Sequence, residues 1–202
     1  MEKKFELTGN FVINAFGIKL FQIKCTKSFK YANKGDLGGY VEKEDNLSQS
    51  GDAWVSGDAR VSGNARVYGD AWVSGDAWVY GDARVSGDAR VSGNARVSGN
   101  ARVSGNARVS GDARVSGNAQ VYGDARVEND HMHCGFDCFG SCNRHTHAYK
   151  TKGNKVEITC GCFRGSLEEF EKKVEETHKG TIYEKQYKAI INLIKIKFGI
   201  DG

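Results

Sequence analysis

Residues 50–67 read SGDAWVSGDARVSGNARV, which is three copies of a six-residue unit, and thirteen copies follow one another without a break to residue 127. Within the unit, the Gly, Ala and Val positions never vary. On an extended strand Ala and Val point to one side, and the variable residue between them points to the other. The Gly-Asp or Gly-Asn pair suits a corner, because these residues tolerate a positive φ. The pattern therefore predicts a parallel β-helix with three short strands and three corners in each coil.

This block resembles the left-handed β-helix of hexapeptide-repeat proteins, which place an aliphatic residue two positions after a small one. The entry run LGGYVE at 37–42 and the tail motif CGCFRG at 160–165 resemble, more narrowly, uncharacterised phage and prophage hexapeptide-repeat proteins with a small C-terminal domain. The resemblance implies a mainly β fold. It consists of a left-handed parallel β-helix with an N-terminal β-hairpin cap and a small C-terminal α+β domain. It implies no activity.

The chain divides into three parts by composition. We expect an N-terminal β cap at 1–45, the β-helix at 46–128, and a Cys/His-rich linker with the α+β domain at 129–202. Every lysine lies outside the hexads, which carry nine Arg and eight Asp. The hexad block is therefore chemically distinct from both flanking parts.

The N-terminal part alternates apolar and polar residues at 4–14 and 18–26, which predicts two strands joined by a turn. This hairpin is expected to cover the open end of the solenoid, since an uncapped coil exposes unpaired strand edges. Residues 33–46 are rich in Gly, Asp, Glu and Lys and are expected to be an irregular entry to the first coil.

The C-terminal part predicts a hairpin at 148–152 and 155–159, followed by two helices. Capping-box patterns place the helix starts after Ser166 and Thr181. Gly199 is expected to end the second helix.

Charge and composition set broad limits on function. The 29 Lys and Arg against 25 Asp and Glu give a net charge of +4, too small to indicate a nucleic-acid-binding protein by itself. No apolar run is long enough to span a membrane, and the N-terminus MEKKFE is unlike a signal peptide. We therefore expect a cytoplasmic protein of a bacterial host cell. In that compartment six cysteines favour free thiols or metal ligands over disulfides.

The variable position forms three outward columns, because residues 18 apart fall on adjacent coils. Flat guanidinium groups can stack along such a column and can also lie over an indole ring. The columns are Trp54, Trp72, Arg90, Arg108 and Arg126; Arg60, Trp78, Arg96 and Arg114; and Arg66, Arg84, Arg102 and Gln120.

Three interpretations of these columns remain open. They could be a solvated arginine face neutralised by the corner aspartates, or the seam of a homotrimer with buried Trp residues. They could also bind an anionic small molecule or nucleotide, since Arg pairs with phosphate and Trp offers a stacking surface. For that third case, the predicted ligand-binding residues are Trp54, Arg60, Trp72, Trp78, Arg84, Arg90, Arg96 and Arg102.

A second cluster of chemically active residues begins at residue 131. Zinc prefers thiolate and imidazole ligands, and the short spacings here would allow chelation. A structural Zn is therefore one hypothesis, with ordinary thiols and surface histidines as the alternative. The candidate ligands are His131, His133, Cys134, Cys138, Cys142, Cys160 and Cys162.

Catalysis is not expected. Acyltransferases and carbonic anhydrases of this fold need histidine on the coils, and all five histidines lie outside the hexads. The main hypothesis is a non-catalytic phage or prophage binding protein that sequesters a nucleotide-type ligand or host immune signal on an oligomeric β-helix. The alternative is a structural or protein-interaction module of the virion or one that binds a host protein. The third is an acyltransferase-like enzyme.

Overall fold

The computed structural model describes residues 3–200, and it shows a three-sided parallel β-helix closed at both ends by other elements. Each hexad forms one two-residue strand. The coil strands are β4 Trp54–Val55, β5 Arg60–Val61, β6 Arg66–Val67, β7 Trp72–Val73, β8 Trp78–Val79, β9 Arg84–Val85, β10 Arg90–Val91, β11 Arg96–Val97, β12 Arg102–Val103, β13 Arg108–Val109, β14 Arg114–Val115, β15 Gln120–Val121 and β16 Arg126–Val127.

The predicted register is confirmed strand by strand. Arg90 pairs in parallel with Trp72 on one side and with Arg108 on the other, 18 residues away in each direction. The hexad Val residues are fully buried, and the hexad Ala residues are at most 3% exposed. The corner glycines hold positive φ, as at Gly93 with φ 65°. The mainly β fold class is therefore confirmed, and the left hand of the coil stays a prediction.

Before the coils, the predicted hairpin forms as β1 (Phe5–Ile13) and β2 (Lys19–Cys25). The expectation of an irregular entry at 33–46 is wrong in part, since β3 (Leu37–Val41) lies there and pairs with both β2 and β5. Gly38 conceals this strand in the sequence. A Cβ at this position would lie 2.6 Å from the carbonyl oxygen of Val55, so only glycine fits.

After the coils, four antiparallel strands form a second sheet. They are β17 (His133–Phe139), β18 (Arg144–Lys150), β19 (Val156–Cys160) and β20 (Phe163–Ser166). The central hairpin β18–β19 is confirmed, whereas β17 and β20 were not predicted.

One face of this second sheet packs on the last coil, and the other packs on two helices. These helices are α1 (Leu167–His178) and α2 (Ile182–Phe198), with the predicted N-caps Ser166 and Thr181 in place. Gly199 closes α2 in the left-handed conformation, as predicted. No helix within residues 3–200 is long and apolar enough to cross a membrane.

The hydrophobic core runs through the whole solenoid and is plugged at both ends. Phe5 and Ile23 from the hairpin, with no exposed surface, continue the interior at the N-terminal end. Tyr149 of β18, also with no exposed surface, continues it at the C-terminal end. The hairpin and the second sheet are therefore parts of one folded unit with the coils.

A charged substitution at Val97 tests whether the interior of the β-helix is closed and dry. Val97→Asp would place a charge without a partner in a dry core, and we expect a loss of about 4 kcal/mol or more in the free energy of unfolding. Chemical denaturation followed by circular dichroism measures the loss. The control is Arg102→Gln, an outward substitution on the next strand, and its free energy of unfolding should lie within about 0.5 kcal/mol of the parent value. Equal stability of both variants would contradict the packing described.

Candidate functional surfaces

The three outward columns lie on three different faces of the β-helix, so the predicted ligand-binding residues do not form one site. Trp54, Trp72 and Arg90 share one sheet. Arg60, Trp78 and Arg96 share the second. Arg84 and Arg102 lie on the third.

Two of the three Trp rings are covered by the chain itself. Trp54 is only 2% exposed, with the ring of Phe29 edge-on against it at 5.4 Å. Tyr31 stacks on Trp72 at 5.4 Å, and the indole N–H of Trp72 donates to Ser56 Oγ at 2.8 Å. The prediction of Trp54 as an open stacking platform is therefore wrong, because the loop after β2 fills that place. This loop also buries Trp54 without any second subunit, so its burial does not require the predicted trimer.

The predicted cation–π contacts are present on two faces. The guanidinium carbons of Arg60 and Arg96 lie 5.5 and 5.8 Å from the ring centre of Trp78, one on each neighbouring coil. Arg90 lies 5.7 Å from the Trp72 ring. Contacts of this kind contribute about 0.5–1 kcal/mol each at exposed positions. Trp78 is thus already occupied by two guanidinium groups.

The corner aspartates do not neutralise the arginines. Within residues 3–200 no arginine of the coils forms a salt bridge. Three of the eight aspartates instead accept hydrogen bonds from asparagines one coil earlier, as from Asn94 Nδ2 to Asp112 Oδ1 at 3.0 Å. Asn64 to Asp82 and Asn106 to Asp124 repeat the arrangement at 3.1 Å. The arginines of the three columns are therefore not ion-paired within the described residues, a feature that the sequence pattern alone did not reveal.

Shallow grooves follow the columns. One of 260 Å³ runs along Arg90 and Arg108, beside Ser92 and Ser110. Another of 480 Å³ runs past Arg60 and Arg96, although here Asp58, Asp76 and Asp112 form part of its wall. The first groove is the better anion receptor, because serine hydroxyls flank its arginines and Glu128 is the one carboxylate in its wall, against three in the second groove.

At the N-terminal end of the coils, some backbone carbonyl groups are hydrogen-bonded by side chains. Lys4 Nζ donates to the carbonyl oxygen of Ala53 at 2.8 Å, and Lys4 is only 6% exposed. Burial lowers the pKa of Lys4 to about 8. The amide of Asn46, fully buried, donates to the carbonyls of Gly63 and Ala65 in the place of a backbone N–H.

The C-terminal end is closed by groups of the second sheet and its linker. Asp130 Oδ1 accepts the backbone N–H of Arg114, in the last strand of its face, at 2.7 Å. His147 Nδ1 and Thr159 Oγ1 both donate to the carbonyl oxygen of Gln120, at 3.1 and 3.3 Å. The backbone N–H of Lys152 donates to the Asp124 carbonyl at 3.0 Å. Neither end of the β-helix is therefore an open coil.

Three histidines meet at this C-terminal junction. His147 must carry its proton on Nδ1 to bond the Gln120 carbonyl, so its Nε2 accepts from His133 Nδ1 at 3.0 Å. Burial lowers the pKa of His147 to about 3. It also lowers the pKa of His133, although the nearby Asp130 carboxylate acts to raise that pKa. His145 Nδ1 contacts Asp137 at 2.6 Å. Burial at this junction therefore favours the neutral form of His147.

The candidate zinc ligands are spread over the second sheet rather than gathered. His133 faces the coils, whereas Cys134, its neighbour on the strand, packs toward the helices. Burial raises the pKa of the Cys134 thiol to about 11, which disfavours the thiolate that zinc needs. Cys160 is buried, and the exposed members are His131, Cys138, Cys142 and Cys162.

No three His, Cys, Asp or Glu side chains within residues 3–200 are placed to hold a metal ion. The zinc site therefore stays a prediction.

A protein-family model described as "Bactofilin: Polymer-forming cytoskeletal" matches residues 43–143. The chain belongs to the bactofilin family. The matched segment contains every coil strand and β17. The hairpin β1–β2 and both helices lie outside it. No curated protein matches the chain, and the bactofilin match names neither a phage protein nor a ligand.

The junction histidines predict a pH dependence of stability. Because the pKa of folded His147 lies near 3 and the ordinary value is 6.5, the unfolded chain binds a proton more readily between these values. The stability contributed by neutral His147 is complete above pH 6.5 and is lost as the pH falls toward 3. The loss should amount to a few kcal/mol across this window.

Thermal melting between pH 7.5 and 4.5 measures this effect. The melting temperature of the parent should fall more steeply with pH than that of His147→Gln, which cannot titrate there. Parallel slopes for the two proteins would show that His147 does not couple protonation to folding.

Proposed function

We propose that this bactofilin is a non-enzymatic, polymer-forming structural module, in which the β-helix is a rigid rod that joins to further copies of itself. The family match over the coils carries this proposal. It agrees with the structural or protein-interaction hypothesis from the sequence better than with ligand sequestration.

Features of the rod support this function. Its interior is a continuous column of small apolar side chains, and its coils are in uniform register, which suits a stiff element. The outward strand positions of the coils carry rows of arginines without salt bridges within residues 3–200, so contact between two such rows meets repulsion. Assembly is therefore expected to extend the rod lengthwise.

Self-assembly can be tested with the purified full chain. Sedimentation velocity should show species larger than the monomer whose share rises with protein concentration, and electron microscopy should show elongated particles. Assembly should persist as the salt concentration rises, since a lengthwise contact does not bring the arginine columns of two rods together. A single monomeric species at all concentrations and salt levels would refute the proposal.

A second candidate function is binding of a polyanion or nucleotide along one face. The groove beside Arg90 and Arg108 supports it, because these guanidinium groups have no carboxylate partner and serine hydroxyls flank them. Trp72 at the end of this groove would report binding.

Titration with a single-stranded oligonucleotide tests this candidate. Tryptophan fluorescence should change, and the affinity should fall as salt rises. Arg108→Ala should weaken binding, whereas Lys172→Ala on α1 removes the same charge away from the coils and should leave binding nearly unchanged. An unchanged fluorescence signal, or equal losses in both variants, would remove this candidate.

A further inference from the structure

The seven-stranded sheet of the β-helix has one open edge, and that edge is β1. The strand order is β1-β2-β3-β5-β8-β11-β14. At the far end, the backbone N–H of Arg114 in β14 is bonded by Asp130. At the near end, β1 has a strand on one side only.

The backbone of β1 is partly covered and partly free. Near its start, Gln49 takes up the outward groups of Phe5, since Gln49 Nε2 donates to the Phe5 carbonyl at 3.1 Å and Oε1 accepts its N–H. A register shift between Leu7 and Phe11 then interrupts the strand. Beyond it, the Asn14 N–H bonds the Ile18 carbonyl and so points toward β2.

The direction of the Asn14 backbone N–H fixes the directions of the backbone groups of the residues before it. Because backbone groups alternate along an antiparallel strand, those of Phe11 and Ile13 point away from β2, while those of Val12 point toward it. The free part of the edge is thus the short segment Phe11–Ile13.

The side chains of this segment are apolar and exposed. Phe11 is 44% exposed and Ile13 60% exposed, and Phe16 in the adjoining turn is 73% exposed. An exposed apolar strand edge is a template for pairing with another chain. Protein edges are usually protected by charges or proline, and residues 11–13 include neither, although Lys19 Nζ of β2 lies 4.2 Å from the centre of the Phe11 ring.

We propose that a second copy of this chain pairs on this edge, antiparallel and about a two-fold axis at Val12. In that arrangement Phe11 of each copy lies opposite Ile13 of the other, and each pair exchanges both of its free backbone hydrogen bonds. An aromatic residue opposite a β-branched residue is a favourable cross-strand pair. The two seven-stranded sheets then form one sheet of fourteen strands (7 + 7), with the rods joined at their N-terminal ends.

A second copy fits this edge because the segment is complementary to itself. The inference rests on the proposed self-assembly and states where the first contact forms. The alternatives within the molecule are less suitable. The C-terminal end is covered by the second sheet and two helices, and the coil faces carry rows of arginines that form no salt bridge within residues 3–200.

Charged substitutions on the edge test the proposal. Ile13→Lys should raise the protein concentration needed for half-assembly at least about tenfold, because a lysine would face the apolar Phe11 across the axis. Phe11→Glu should have a similar effect. An equimolar mixture of the two single variants places a glutamate of one copy opposite a lysine of the other and should recover assembly relative to either variant alone.

Ile196→Lys is the matched control. Ile196 is 69% exposed and lies on α2, so the same chemical change there should leave assembly as in the parent. Thermal melting of each variant confirms that the fold is retained, as expected for exposed positions.

The outcomes separate the two proposals. A parent protein that never assembles refutes the structural function itself. A parent that assembles, with Ile13→Lys assembling equally well, refutes only the β1 contact. Reduced assembly in each single variant together with recovery in their mixture supports the two-fold edge, because the glutamate and the lysine then lie on different copies.

Discussion

The structure depends on a match between coil length and chain repeat. Each coil has 18 residues, a whole number of hexads, so every side chain lies beside the same position of the neighbouring coil. Inside, this sets Val against Val and Ala against Ala, and the interior is filled along its length without variation in volume. A coil one residue longer or shorter would turn apolar side chains out of the core, because faces alternate residue by residue.

The same match creates a problem outside, where identical charges also repeat at the strand spacing of about 4.8 Å. The repulsion between these charges is reduced in one way at the corners and in another on the faces. At corners an asparagine before an aspartate turns a repulsive pair into a hydrogen bond, as between Asn94 and Asp112. On the faces a tryptophan separates two arginines, as Trp78 does between Arg60 and Arg96. Farther along, arginine lies on arginine, and the surface stays positive.

A structural feature could be predicted when the residues that determine it lie close together in the sequence. The hexads predict the coils, the register and the outward columns because all three depend on a period written in the sequence. The strand β3 was missed because Gly38 looks like a loop residue, and it is explained only by its approach to Val55. Phe29 and Tyr31 cover the Trp rings from a loop whose position no local pattern encodes. His133 and Cys134 were grouped as ligands, but strand alternation in β17, itself unpredicted, sends them to opposite faces.

The two ends of the rod cover their strand edges in two different ways. At the C-terminal end Asp130, His147 and Thr159 bond the last backbone groups with side chains, so no strand is added to the coil sheets, and the second sheet has its own edges at β17 and β20. At the N-terminal end one face is covered by further strands, and an added strand always presents an edge of its own. The hairpin therefore moves the open edge of that face from the coil to β1, and Gln49 covers only its first residues. The coil ladder is therefore closed by side chains at one end, and at the other it is extended to a strand edge.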